Sequence, residues 1–206
     1  MATDVTICSN ALQIIGASPI NSFSEGSQAN GIDTARLCSN LWPVTRDAVL
    51  RAHNWSCATA RVVLSPESTN PQFGFSHRYI LPSDWLRNVE INGVNEYEID
   101  YRTETVGNGN ASKRMLCDVS TLNLVYIWRN TDTLSWDAML VEAAQTAMAA
   151  QMAYAVTQSG SLKEQLTREY MRKISMAKSV DGQDESPTQL GSFEILGARR
   201  SLGRSY

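Results

Sequence analysis

The chain has 206 residues, of which 43% are hydrophobic and 19% are charged, and its formal net charge is −3. A chain of this length and composition builds a core and forms one domain, or one domain with an insertion, which excludes an intrinsically disordered protein. The acidic balance, with a pI near 5.4, argues against a protein that grips nucleic acid by neutralising its phosphates.

The first predicted helix begins after Thr3, a suitable N-cap, and ends at Gly16. Its apolar residues recur with the period of a helix that buries one face. These residues are Val5, Cys8, Leu12 and Ile15.

A longer helix is predicted from about Ala29, with an inner stripe and a charged outer face. The stripe comprises Ile32, Ala35, Cys38, either Leu41 or Trp42, Thr45, Val49 and Ala52. On the outer face, spacing allows Asp33 to pair with Arg36, and Asp47 with Arg51. Pro43 removes a backbone donor inside this pattern, so one kinked helix and two short helices that meet at Trp42 both stay open.

Residues 63–133 are predicted to be rich in antiparallel β-structure, because Tyr, Val, Ile and Thr cluster there between turn signals. Tyr97, Ile99 and Tyr101 alternate with acidic residues, which is typical of a half-exposed strand. Turns are predicted at residues 92–93 (Asn-Gly) and 107–110 (Gly-Asn-Gly-Asn).

Helical periodicity returns from Trp136 to about Gln158, and again after Gly160. The earlier of these helices has a predicted buried stripe of Met139 or Leu140, Ala143, Ala147, Ala150 and Tyr154. The later one is predicted to open with a capping box formed by Ser161 and Glu164. Its predicted stripe is Leu162, Leu166, Tyr170, Ile174 and Ala177.

Residues 181–206 are predicted to form an extended C-terminal arm that docks on a partner. Residues 181–186 are too polar to be expected in a core, and Pro187 and Gly191 interrupt any helix. Apolar and basic side chains recur nevertheless, which is unusual for a simple disordered tail. The predicted partner-binding residues are Leu190, Phe193, Ile195, Leu196, Arg199, Arg200, Leu202 and Tyr206.

The predicted fold class is therefore α+β. An antiparallel helical bundle is expected from both chain ends (1–62 and 134–180), with the β-rich segment (63–133) inserted between them and the arm (181–206) following. The outer helix faces are expected to be charged, with no long apolar stripe left over, so the isolated chain is expected to be monomeric.

His53 is one of two histidines, and its role decides whether the chain is expected to perform chemistry. Catalysis would require a nucleophile or a carboxylate near it, and the local sequence supplies neither. We therefore interpret His53 as a helix-capping or core residue. It belongs to a predicted structural joint, which comprises Trp42, Pro43, Asp47, Arg51, His53 and Trp55.

No catalytic, cofactor-binding or metal-binding residue is predicted. Four scattered cysteines and two histidines show no zinc-site spacing, so the cysteines are expected to be reduced and mostly buried. The sequence shows no signal-peptide pattern and no apolar run of membrane-spanning length, so no membrane association is expected.

Two segments and the alanine-rich helix that follows them resemble the tail tubular protein A-like head-to-tail adaptor (gatekeeper ring) family of short-tailed bacteriophages. The residues that carry the resemblance are Trp42, Pro43, Arg46, Asp47, Leu50, Arg51, His53, Asn54, Trp55, Ala58, Arg61, Leu81, Pro82, Asp84, Leu86 and Arg87. The resemblance covers most of residues 1–180, and its motifs are structural. The family often has proline at the position of Asn54 and phenylalanine near Ser56 or Cys57, so this chain is expected to be a divergent member.

The resemblance implies a structural virion protein at the portal vertex of the tail, assembled in the host cytoplasm. Copies would form a ring, a dodecamer in the family, that binds the portal protein ring and extends the DNA channel. Below it would lie the tail nozzle, of the tubular protein B type, and the tail fibres. DNA would pass through the lumen without specific binding, as the mild acidity of the chain also suggests.

Two other classes of function compete with this interpretation. A tail-associated cell-wall hydrolase would use paired carboxylates, but Glu96, Glu98 and Asp100 alternate along a strand and share one solvated face. A small regulatory nucleic-acid-binding protein would use the basic end at residues 198–204, whose three arginines are a small footprint.

Overall fold

The computed structural model describes residues 2–26, 28–29, 31–95, 98–106 and 112–184. Over these residues the protein is mixed α and β, with four α-helices, two antiparallel sheets and a short hairpin. The predicted α+β class is confirmed.

The alanine-rich helix α3 lies at the centre of the helical part and contacts the other three helices. The helices are α1 (Asp4–Ile14), α2 (Thr34–Arg51), α3 (Ala138–Thr157) and α4 (Gly160–Asp184). Eleven of the 20 residues of α3 are buried, and many of these are alanines. Small side chains let neighbouring helix backbones approach closely on several sides, which explains why this helix has no single buried stripe.

Helix α1 has the boundaries and caps that its sequence predicts. The side chain of Thr3 accepts a hydrogen bond from the backbone N–H of Thr6, and the Thr6 side chain returns one to the backbone of Thr3. Gly16 follows the helix with a φ of +77°, a conformation that glycine adopts without steric cost. Cys8 and Leu12 are fully buried, as predicted.

Helix α2 begins later than predicted, because a hairpin occupies the residues before it. The strands β1 (Gln28–Ala29) and β2 (Ile32–Asp33) pair through a turn at Gly31. Asp33 is the N-cap of α2, and its carboxylate accepts from the backbone N–H of Arg36 at 3.0 Å. The predicted Asp33–Arg36 ion pair is therefore replaced by a capping hydrogen bond.

The chain passes through Pro43 as one helix, which decides between the two open alternatives. Pro43 is exposed. Of the two residues predicted as alternatives for the buried stripe, Trp42 belongs to it, with 2% exposure, whereas Leu41 is half-buried.

The caps of α3 and α4 differ from those predicted. Asp137 caps α3 and accepts from the N–H of Met139 at 2.7 Å, so Trp136 precedes the helix. Ser159 precedes α4, and its hydroxyl accepts from the N–H of Leu162 at 3.3 Å. The predicted capping box at Ser161 is wrong, because Ser161 already lies within the first turn of the helix.

The predicted stripe of α3 was also wrong at its end, where Tyr154 is 54% exposed.

The strands form a four-stranded sheet in the order β3–β9–β5–β6 and a three-stranded sheet in the order β4–β8–β7. The strands are β3 (Thr59–Leu64), β4 (His77–Ile80), β5 (Trp85–Ile91), β6 (Val94–Asn95), β7 (Tyr101–Val106), β8 (Ser112–Cys117) and β9 (Leu122–Trp128). All pairs are antiparallel, as predicted. Buried residues of both sheets form one shared core that includes Tyr79, Trp85, Met115 and Leu124.

The β-rich segment confirms one predicted turn and corrects one predicted strand. Asn92 and Gly93 have φ values of 52° and 81°, the two positive values of a type I′ turn. The strand predicted through Tyr97 begins only at Tyr101, and residues 98–100 precede it. Residues 96–97 and the second predicted turn, 107–110, lie outside the described residues.

The predicted start of the C-terminal arm at residue 181 is corrected by α4, which continues to Asp184. Asp181 was expected to be exposed but is 6% exposed, because a hydrogen-bonding partner on another part of the chain accommodates its charge. The eight predicted partner-binding residues, Leu190 to Tyr206, lie outside the described residues. At the other boundary, β3 begins at Thr59, ahead of the predicted residue 63.

Replacing Pro43 with alanine is expected to stabilise the protein by about 1–2 kcal/mol. Alanine restores the missing donor of an intact helix, and the greater freedom of the unfolded chain offsets part of that gain. Urea unfolding followed by circular dichroism measures the difference. Ser39→Ala, an exposed position in the same helix, is the control and is expected to change stability by less. A loss of stability in Pro43→Ala would show that the proline ring makes contacts the folded protein needs.

Candidate functional site at the end of helix α2

The end of α2 is closed by Trp55, whose side chain folds back against the last turn of the helix. Its indole N–H donates to the carbonyl of Val49 at 3.0 Å, and the side chain is 1% exposed. The backbone N–H of Ala52 donates to the same carbonyl at 3.2 Å. The indole therefore fills the core, and its own N–H has a buried acceptor at the helix end. Leu50, in the last turn of the helix, is fully buried as well.

His53 faces a carboxylate that comes from the far end of the chain. Its Nε2 lies 3.4 Å from Oδ2 of Asp181, which belongs to α4. Oδ1 of the same carboxylate accepts from the backbone N–H of Ser56 at 3.2 Å and from its hydroxyl at 2.8 Å. The expectation that His53 has no carboxylate partner is therefore wrong.

This cluster of Ser56, His53 and Asp181 differs in geometry from a Ser-His-Asp triad. In a triad the serine donates to the imidazole, which acts as its base, and the imidazole then donates to the carboxylate. Here the hydroxyl of Ser56 donates to the carboxylate itself, and the imidazole approaches the second oxygen of the same group. The arrangement compensates a buried negative charge and attaches the last turns of α4 to the chain that follows α2.

The negative charge of Asp181 also acts on the neighbouring thiol. Burial, followed by this carboxylate, raises the pKa of Cys57 to about 11. The thiol therefore stays protonated at neutral pH and is a poor nucleophile.

Asp47 connects α2 to the four-stranded sheet rather than to the next turn of its own helix. Its Oδ1 lies 2.9 Å from the guanidinium of Arg46, and its Oδ2 lies 2.7 Å from that of Arg129, which follows β9. Arg51 donates instead to the backbone carbonyl of Leu86 in β5. The predicted Asp47–Arg51 pair is wrong, because both side chains find partners across the fold that the helix period cannot reveal.

Further bonds join β5 to the chain that follows α2, and join Asp84, just before β5, to the β9 region. Arg87 donates to the side-chain oxygen of Asn54. The backbone N–H of Arg129 donates to the carbonyl of Asp84 at 2.7 Å, and the hydroxyl of Tyr126 lies 3.4 Å from the Asp84 carboxylate. The segments around residues 46–55 and 84–87, which are apart in sequence, thus meet in one bonded network.

The remaining two joint residues, Trp42 and Pro43, lie further towards the start of α2. Trp42 packs against Trp136, with ring centroids 6.1 Å apart. Neither indole N–H has a hydrogen-bond partner among the described residues. The six predicted joint residues therefore form two groups. Asp47, Arg51, His53 and Trp55 make the contacts at the end of α2, whereas Trp42 and Pro43 lie apart from them.

Sequence reasoning missed Asp181, Arg129 and Asn130. Asn130 is 1% exposed and donates to the carbonyl of Cys57 at 2.7 Å and to the hydroxyl of Ser135 at 2.8 Å. The one feature of the sequence that pointed to these three residues was that each polar side chain lies next to an apolar helix or strand segment. Their partners are distant along the chain; Ser56 and Asp181, for example, are 125 residues apart.

An apolar groove opens between α2, α3 and α4, and it corrects the expectation that charged outer helix faces leave no long apolar stripe. It has a volume of about 300 Å³. Its lining residues are Leu41, Val44, Thr45, Ala48, Val49, Ala147, Ala150, Gln151, Thr167, Tyr170 and Met171. Val44 is 71% exposed and Met171 is 60% exposed, so apolar side chains remain on the surface after the helices have packed.

Among the residues that the structure describes, no group of three or more potential ligands (His, Cys, Asp or Glu) is close enough to hold a metal ion. No helix in this part of the chain is both long and apolar enough to cross a membrane. The four cysteines, all described, are free thiols, and burial raises the pKa of Cys117 as well as that of Cys57.

Neither the family models nor the curated proteins contain a match to this sequence.

Replacing Trp55 with alanine is expected to cost about 3–5 kcal/mol, since the substitution leaves a cavity at the helix end. His53→Ala is expected to cost about 1 kcal/mol, because the ring is partly exposed and Ser56 still donates to Oδ1 of Asp181. Urea unfolding of both variants gives the comparison. Similar small losses in the two variants would contradict the role assigned to Trp55.

Proposed function

We propose that the chain is a structural virion protein of a short-tailed bacteriophage, an adaptor whose ring connects the portal to the tail and extends the DNA channel. In this proposal the four helices form an antiparallel bundle built from both chain ends, and the β-rich segment is an insertion in it. The portal ring, the tail nozzle, the tail fibres and further copies of the chain would be its partners.

The observation that carries the proposal is the bonded network between α2 and the sheets. The resemblance to the adaptor family rests on residues in two separate segments, and those residues contact one another. Arg51 binds the carbonyl of Leu86, and Arg87 binds the side chain of Asn54. A resemblance carried by mutually bonded residues concerns the framework of a fold, and the adaptor function is carried over from the family by analogy.

The apolar groove supports assembly into a ring. A ring of identical subunits needs two different surfaces that fit each other and a rotation that closes. The groove supplies one apolar surface on the helices, with Val44 and Met171 exposed at its edge. Burial of such side chains between subunits would remove apolar area from water.

The arm would supply a second attachment, on the portal or on a neighbouring subunit. Since α4 ends at Asp184, the arm starts there, and its base is held by Asp181 to the end of α2. A fixed base limits the directions in which the following residues can reach, which favours one defined acceptor surface.

Charge substitutions in the groove test the ring interface. Val44→Asp combined with Met171→Asp is expected to abolish assembly on cognate portal rings while the monomer remains folded, because both side chains are already exposed. Val63→Asp is the matched control, since Val63 is 69% exposed on β3, away from the groove. Electron microscopy and sedimentation of portal–adaptor mixtures give the result. Normal rings from the double variant would contradict the assignment of the groove.

Truncation after Asp184 tests the arm. The truncated chain is expected to keep its melting temperature within about 2 °C, because α4 and its anchor at Asp181 stay intact. Its binding to portal rings or to neighbouring subunits is expected to be lost or greatly weakened. A second truncation after Val180, which also removes Asp181, is expected to lower the melting temperature. Normal assembly of the first truncated chain would refute the arm, and unfolding of that chain would place residues after Asp184 in the core.

A further inference from the structure

A polar cavity of about 510 Å³ lies where the end of α2 meets both sheets. It is separate from the apolar groove and from the cluster around Asp181. Its lining residues are Arg51, Trp85, Arg87, Asn88, Tyr101, Thr103, Thr105 and Lys113. We call this cavity the basin.

The register of the three-stranded sheet places the basin's hydroxyl groups and its lysine on one face. Thr105 of β7 lies opposite Lys113 of β8, and Thr103 lies opposite Met115. Directly opposed residues of an antiparallel pair project to the same side of the sheet. Thr103, Thr105 and Lys113 are all exposed, so their polar ends are accessible to a solute.

The other side of the basin supplies two guanidinium groups and an aromatic wall. Arg51 reaches it from α2 and donates to the Leu86 carbonyl. Arg87 reaches it from β5 and donates to Asn54. The Nζ of Lys113 lies 4.7 Å from the centroid of the Trp85 ring, which itself is 8% exposed. These contacts hold three cationic groups around one space.

The described lining of the basin is positive although the whole chain is acidic. Among the described residues that line it, three side chains are cationic and none is a carboxylate. Two carboxylates that do not line the basin are each occupied by two arginines: Asp47 by Arg46 and Arg129, and Glu67 by Arg78 and Arg114. The contacts of Arg51 and Lys113 described above are with a carbonyl and an indole face, both neutral. Their charges are therefore available to an anion from solution.

We propose that the basin binds a small phosphate-bearing anion. Donors approach it from α2, from β5 and from the β7–β8 pair, so they surround a ligand on several sides. A tetrahedral phosphate group offers acceptor oxygens in several directions, whereas a planar carboxylate is satisfied by a single guanidinium fork. Three cations form too small a footprint to hold duplex nucleic acid against physiological salt. The volume is within the range of small-molecule sites.

The proposal is independent of the ring function, because all the residues involved belong to one chain. Isothermal titration calorimetry of the full-length protein, in low-salt buffer without phosphate or sulfate, tests it with inorganic phosphate as the probe. Saturable binding of one phosphate per chain, weakened by added sodium chloride, is the expected result. The absence of saturable binding at millimolar phosphate would overturn the proposal.

Variants of two lining residues locate the bound anion. Lys113→Gln is expected to weaken phosphate binding by roughly tenfold, since it removes a charge-assisted contact and leaves a neutral polar side chain that is one bond shorter. Thr105→Val keeps the shape of the side chain, removes its hydroxyl, and is expected to weaken binding to a smaller extent. Lys163→Gln, an exposed lysine on α4, is the matched control and is expected to leave binding unchanged. Circular dichroism confirms that each variant is folded. Equal losses in Lys113→Gln and Lys163→Gln would overturn the site.

Further ligands distinguish the possible sources of the phosphate. A nucleoside monophosphate that binds more tightly than inorganic phosphate, while its nucleoside does not bind, would identify a nucleotide held beside Trp85 and Tyr101. Equal affinities for the nucleotide and inorganic phosphate would identify the free anion. An acidic peptide that binds more tightly than phosphate and displaces it would overturn the phosphate assignment in favour of a protein partner.

Discussion

The hydrogen bonds and ion pairs at the end of α2 are the constraint on which the rest of the structure depends. Within one short stretch, Trp55 closes the helix, and Asp47 and Arg51 attach it to the four-stranded sheet. Ser56 donates to Asp181 of α4 and so attaches that helix to the same stretch. Each of these contacts uses a polar group that would be costly to leave unpaired where it is buried. The geometry of helices and sheets relative to each other is therefore held by directional bonds in addition to apolar packing.

The two cores on either side of this junction are built by different physical means. In the helical core, alanines of α3 such as Ala143 and Ala147 allow three neighbouring helices to approach one axis. In the β core, large side chains such as Tyr79 and Leu124 fill the space between two twisted sheets. Ile127 and Leu86 belong to the helical core although they lie on strands, so the two cores meet along β5 and β9. The two cores thus share strands, while each buried side chain belongs to one core.

The same junction connects the proposed assembly function with the proposed anion site. Asp181 holds the last turn of α4, from which the proposed arm would continue, and Arg51 lines the basin on the other side. Anion binding would strengthen the attachment between α2 and the sheets, because it would draw Arg51 and Lys113 towards one ligand. Under the proposed function, the position of the β-rich segment relative to the ring would then depend on the ionic conditions.

The sequence by itself determined the local elements whose causes are local. The Thr3 cap, the turn at Asn92 and Gly93, and the helical identity of α1 to α4 depend on residues a few positions apart, so composition and period were enough. The start of α2 and the cap of α4 were predicted at the wrong residues. A hairpin occupies the residues where α2 was predicted to begin, and Ser159, instead of the equally plausible Ser161, caps α4.

Only the tertiary structure decided which polar residues become partners. Helix spacing predicted that Asp47 would pair with Arg51, yet Arg129 and the Leu86 carbonyl lie closer to these side chains once β5 and β9 pack against α2. The polar sequence around Asp181 predicted exposure, but Ser56 and His53 make its burial tolerable. Periodicity describes which face of an element is apolar, and it carries no information about which distant element will cover that face. Charge pairing across the fold depends on that choice, and the choice is made by the packing of the whole chain.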